Sequence, residues 1–144
     1  MKRIIETPDA PEAVGAYSQG TTDGDLVFTA GQIPMTPDGE HLSGEPIDVQ
    51  TRQCLENVRA IIEEEGLSMQ DVLTVTVYLD DIGDFGAMNE AYAEYFQDNP
   101  PARSAVGVDA LLDDLEGQLT DPPDRDAVGD RLHGLKAPAL ALSE

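Results

Sequence analysis

Between two stretches of helical periodicity, residues 72–79 read Val-Leu-Thr-Val-Thr-Val-Tyr-Leu. β-Branched residues dominate, and the alternation puts Leu73, Val75, Val77 and Leu79 on one face of a strand and Thr74, Thr76 and Tyr78 on the other. A strand of this kind needs a cover on its apolar side, and the flanking segments supply one. Across residues 48–65, Val49, Cys54, Leu55, Val58, Ile61 and Ile62 recur at spacings of three and four, which predicts a helix capped by Asp48 and closed by Gly66. Cys54 falls in that stripe and reads as a core residue, not a nucleophile. Phe85, Met88, Tyr92 and Phe96 predict a second helix over 84–97, stopped by Asn99-Pro100-Pro101. Leu26–Thr29 and Ala102–Val108 read as further strands, with a turn at Pro37-Asp38-Gly39 and a final strand at Leu115–Leu119. The order predicts an α+β fold, a mixed sheet with two helices packed on one face. Its other face is only half polar and is expected to meet a second subunit.

The length of 144 residues suits one domain with a modest core. One cysteine and two histidines, His41 and His133, offer neither a disulfide framework nor a histidine-built metal centre. No apolar run approaches the length of a membrane span, and Met1-Lys2-Arg3-Ile4-Ile5-Glu6 does not read as a signal peptide, so a cytoplasmic location is expected. The charge is extreme, 29 acidic against 8 basic residues for a net of −21. Such a field repels phosphate backbones, so nucleic acid is not an expected partner. In molar salt the Debye length falls to about 3 Å, self-repulsion is screened, and a carboxylate-covered surface stays hydrated. The chain reads as a halophilic protein. The acidic character fades after Asp121-Pro122-Pro123, which separates residues 1–120 from a tail, 121–144. That tail holds a short predicted helix at 124–134 and an apolar, unpatterned end.

Three segments carry residues that core packing does not demand. Gly15-Ala16-Tyr17-Ser18-Gln19-Gly20 brackets a tyrosine with glycines; its hydroxyl can serve a ligand, or the ring can be a buried tyrosine beside a turn. In Ala30-Gly31-Gln32-Ile33-Pro34 the glycine ends a strand, where it either admits a ligand to the backbone or forms a bulge. Pro100-Pro101-Ala102-Arg103-Ser104-Ala105-Val106 puts an arginine into a small, apolar strand start. Its guanidinium is a forked donor matched to a carboxylate, whether a ligand's or that of a structural salt bridge.

Together, in this order and spacing, the three segments resemble the RidA (YjgF) family of enamine/imine deaminases over roughly residues 1–116. The resemblance implies a chorismate-mutase-like subunit, a homotrimer with clefts between subunits, and no metal or organic cofactor. It also implies hydrolysis of 2-aminoacrylate-type enamines and imines, released by pyridoxal-phosphate dehydratases, to 2-oxo acids and ammonia in the cytosol. Carried over by position, Arg103 grips the substrate carboxylate, Tyr17 lines the cleft and Gly31 offers backbone to the ligand. Asn89 lies near the site or is a solvated helix residue, and Ala105 stands where many relatives have a cysteine.

One departure concerns the proton. The family's glutamate on the last strand corresponds to Gln118, which can hold water but cannot take its proton; general-base catalysis is commonly worth about 10²–10⁴-fold. Glu116, two residues earlier on the same face, can replace it only across about 6–7 Å. The ending therefore reads as divergent or altered in frame. Two other function classes stand beside the deaminase: a non-catalytic module that binds small carboxylates such as 2-oxo acids, and the ribonuclease or translation-inhibitor label often given to this family, which the charge opposes.

Overall fold

The computed structural model describes residues 1–111 and a strand at Ala141–Ser143. The elements run β1 (Arg3–Ile5), β2 (Gly20–Thr22), β3 (Leu26–Thr29), α1 (Ile47–Glu63), β4 (Thr74–Leu79), α2 (Phe85–Ala93), β5 (Ala102–Gly107) and β6 (Ala141–Ser143). β1, β2, β3 and β6 form an antiparallel sheet in that order. β4 and β5 pair in parallel, with Val75 opposite Arg103 and Val77 opposite Ala105. A parallel pair needs a long crossover, and α2 supplies it. The fold is thus α+β, with two helices and both strand polarities.

Leu55, Val58, Ile61 and Ile62 of α1 and Met88 and Tyr92 of α2 share one core with Ile5, Val27, Val75 and Leu79 from the strands. The opposite strand faces are open: Ile4 and Phe28 are exposed, and Thr74, Thr76 and Tyr78 are half-buried. Among the described residues, no helix is long and apolar enough to cross a membrane.

The central strand starts at Thr74, two residues later than its alternation suggests. The preceding chain is taken by a 3-10 turn, Met69–Asp71, which Ser68 and Asp71 close as a reciprocal capping box. Asp48 does not cap α1. Pro46 precedes the helix with a fixed φ of −54°, and the Asp48 carboxylate instead accepts from Arg52 Nη1 at 2.9 Å, one turn on. Gly66 does end α1, at φ +75°, its N–H donating to the Glu63 carbonyl and that of Leu67 to Ile62. Cys54, expected in the core, is only half-buried. The second helix is shorter than its stripe: a 3-10 turn, Ile82–Asp84, precedes it and Phe96 joins the core from beyond its end. Three short strands, β1, β2 and β6, escape the sequence pattern because three residues carry no measurable period. The expected strand at 115–119 and helix at 124–134 lie outside the described residues.

Candidate functional site

Strand β5 alternates its side chains. Ala105 packs against the core, and Arg103, two residues earlier, points to the same side and is half-buried. Helix α2 lies against that side. Positions 85, 89 and 92 are four and three apart, so Phe85, Asn89 and Tyr92 form one stripe of α2. All three meet the Arg103 guanidinium. Its Nη1 donates to Asn89 Oδ1 at 2.8 Å, and its Cζ lies 4.6 Å from the Tyr92 ring centroid and 5.4 Å from that of Phe85. The Tyr92 ring is braced in turn by Phe96, at 4.7 Å between centroids. Burial pushes the Tyr92 hydroxyl above its ordinary range, and the nearby guanidinium partly offsets this.

The other described arginines behave differently. Arg3 donates to both carboxylate oxygens of Glu65, at 2.7 Å each. Arg52 holds Glu94 through two donors at 2.9 Å and Asp48 through a third, and Arg59 donates to Glu56 at 2.9 Å. These carboxyl groups of Glu65, Asp48 and Glu94 sit below their usual range because of the guanidinium hydrogen bonds. Arg103 has no carboxylate partner among the described residues. Among the described residues, the structural salt bridge that so acidic a chain would readily provide is not formed there. Asn89 is half-buried, and its oxygen accepts from Arg103.

Tyr17 and Gly31 stand elsewhere. Tyr17 is 51% exposed, so it is not a buried tyrosine beside a turn. Its hydroxyl accepts from the Val14 N–H at 3.2 Å. It borders a cavity of about 620 Å³ together with Ile5, Thr7, Glu12 and Gln19, and neither Arg103 nor Asn89 lines that cavity. Gly31 is exposed just after β3, its φ is not positive, and a Cβ added there meets nothing within 4 Å. Among the described residues nothing requires a glycine there, and the backbone is open. Glu116 and Gln118 lie outside the described residues.

Two neighbours of these positions were hidden in the sequence. Gln19 is buried and holds the segment before it: Oε1 accepts from the Thr7 N–H at 2.7 Å, and Nε2 donates to the carbonyls of Thr7, Ala10 and Pro11. Asn57 of α1 is fully buried and donates to the carbonyls of Ile33 and Met35, which fixes the loop after Gly31. Phe85 and Tyr92 were legible only as core stripe residues. The added signal is their spacing around Asn89.

Chemically, Arg103 presents a cation whose remaining N–H donors are uncommitted among the described residues, beside apolar rings and a small residue. That suits a small carboxylate. The Ribonuc_L-PSP family, described as endoribonuclease L-PSP, matches residues 7–116. A RutC family protein of Pyrococcus horikoshii is 52% identical over 116 residues, covering 80% of this chain and 91% of that one. A 2-iminobutanoate/2-iminopropanoate deaminase of Salmonella typhimurium is 40% identical over 122 residues, covering 83% and 94%. The crystal structure of E. coli TdcF with bound serine superposes with a TM-score of 0.74 at 44% identity, over 78% of this chain and 90% of that one.

Proposed function

Because the chain belongs to the Ribonuc_L-PSP (RutC/YjgF/RidA) family, whose members include proteins named deaminases of 2-imino acids, we propose that it hydrolyses 2-aminoacrylate-type enamines and imines to 2-oxo acids and ammonia. The observation that carries this reading is the Arg103 guanidinium, which has no carboxylate partner among the described residues of a chain with 29 acids. In the proposed reaction the enamine first tautomerises to the imine, whose C2 is electrophilic. Arg103 holds the carboxylate and so fixes C2. Water adds to C2, one of its protons going to the imine nitrogen, giving a carbinolamine. The nitrogen takes up a second proton, the C–N bond breaks, ammonia leaves, and the C2 hydroxyl gives up its proton as it becomes the ketone of the 2-oxo acid. No metal or organic cofactor takes part in this reading.

Tyr17 and Gly31 enter the site from another subunit in the proposed homotrimer, since the cavity beside Tyr17 excludes Arg103. Asn89 and the Ala105 backbone complete it beside Arg103. The acidic surface fits a halophilic, cytoplasmic protein, and it disfavours RNA as a substrate. Gln118 supports one other reading, a module that binds 2-oxo acids without turnover, because an amide cannot act as the base. Glu116 is the other candidate for that proton.

The test generates 2-aminoacrylate in situ with a serine dehydratase and compares wild type, Arg103→Ala and Gln118→Glu. The deaminase reading predicts acceleration by wild type, its loss in Arg103→Ala, and a gain in Gln118→Glu of about 10²-fold or more if the amide limits the rate. Binding of 2-oxobutyrate with no acceleration supports the non-catalytic module. RNA cleavage lost with Arg103 overturns both.

A further inference from the structure

Arg103 is held by rings and an amide without the carboxylate that each of the other described arginines has, Arg59 included, whose ring contact with Tyr95 comes beside an ion pair with Glu56. Glu65 takes two donors of Arg3, and Glu94 takes two of Arg52. A carboxylate at position 92 or 85 would do the same to Arg103 and close it to ligands. Aromatic rings occupy those positions instead. A ring attracts a cation through its π face without accepting any of its N–H bonds in-plane. Of five N–H donors, the guanidinium spends one among the described residues, on Asn89. The Tyr92 hydroxyl is buried and has no hydrogen-bond partner among the described residues, so the ring face, and not the oxygen, makes the contact with Arg103.

We propose that Tyr92 is a positioning residue whose ring face, with Phe85 beside it, holds the Arg103 guanidinium in its carboxylate-binding pose while leaving its donors free. The proposal rests on the reading of Arg103 as the carboxylate anchor. It assigns affinity for small 2-oxo and 2-imino acids to the electron density of a ring that does not touch them.

The experiment replaces Tyr92 by Phe and by mono-, di- and trifluorinated phenylalanines, which withdraw electron density from the ring with little change of shape. Binding of 2-oxobutyrate is measured by calorimetry on the assembled protein, with Arg103→Ala as reference and the same series at Tyr95 as control. Tyr95 has its own cation contact, with Arg59 at 5.0 Å, whereas the ring contacts of Arg103 are with Tyr92 and Phe85. The expected result is a stepwise rise in Kd with fluorination at 92, reaching about 3–10-fold for the trifluorinated ring, and none at 95. A flat series at 92, with binding lost in Arg103→Ala, overturns the positioning role and leaves the anchor intact. Unchanged binding in Arg103→Ala overturns the anchor and this proposal with it.

Discussion

Within Tyr17-Ser18-Gln19-Gly20, adjacent residues answer to different demands. Gln19 satisfies four backbone groups of the segment it closes. Gly20 lets β2 pass under α1: a Cβ there would lie 2.9 Å from Ile61 Cγ2 and 3.1 Å from the Phe28 carbonyl oxygen. Neither atom has room to yield, because Ile61 is fully buried and the other is backbone. Gly31, by contrast, has open space where its Cβ would be. The two glycines therefore separate in one denaturation experiment. Gly20→Ala is expected to cost about 1–3 kcal/mol of stability through overpacking, and Gly31→Ala less than about 0.5 kcal/mol. If Gly31 lies against a ligand, its variant instead loses 2-oxobutyrate binding. Equal stability losses at both positions would contradict this division.

At the level of elements, the two helices and the three longer strands were legible because each carries enough residues to show a period. The boundaries were not, since they depend on local competition. Asp48 had a choice between capping α1 and pairing with Arg52, and the arginine wins. Of the candidate site, the polar members Asn89 and Arg103, which meet in the structure, were picked out in the sequence, whereas Phe85 and Tyr92 read there as ordinary core stripe. Their role needs β5 beside α2, a contact that no local pattern encodes. The link between α1 and the end of α2 also has a titratable signature. Tyr95 Oη donates to Glu56 Oε1 at 2.8 Å, and burial, then that hydrogen bond, push its hydroxyl up to about 12. A raised folded-state value means that the neutral phenol is the form the fold favours. Stability from this group is therefore intact below the unfolded phenol's range, near pH 10, and is lost as pH rises toward 12. Ultraviolet titration should show the Tyr95 and Tyr92 phenolates forming late, and Tyr95→Phe should remove one of those two late steps. A full set of phenolates forming near pH 10 in the folded protein would contradict the contact.

For the whole molecule, the governing quantity is a net charge of −21 on 144 residues. Self-repulsion of that size opposes the compact state until salt screens it. The thermal midpoint is expected to climb as potassium chloride rises from dilute buffer to molar concentrations; a midpoint already maximal in dilute buffer would remove the halophilic reading. The same field sharpens the meaning of Arg103, a cation that has no carboxylate partner among the described residues of so acidic a chain. The most direct test is the crystal structure of the assembled protein soaked with 2-oxobutyrate. The account predicts the ligand carboxylate on the free donors of Arg103, with Asn89 Oδ1 still on Nη1 and Tyr17 of a neighbouring subunit beside it. An Arg103 side chain closed onto a protein carboxylate, with 2-oxobutyrate bound elsewhere or nowhere, would contradict it.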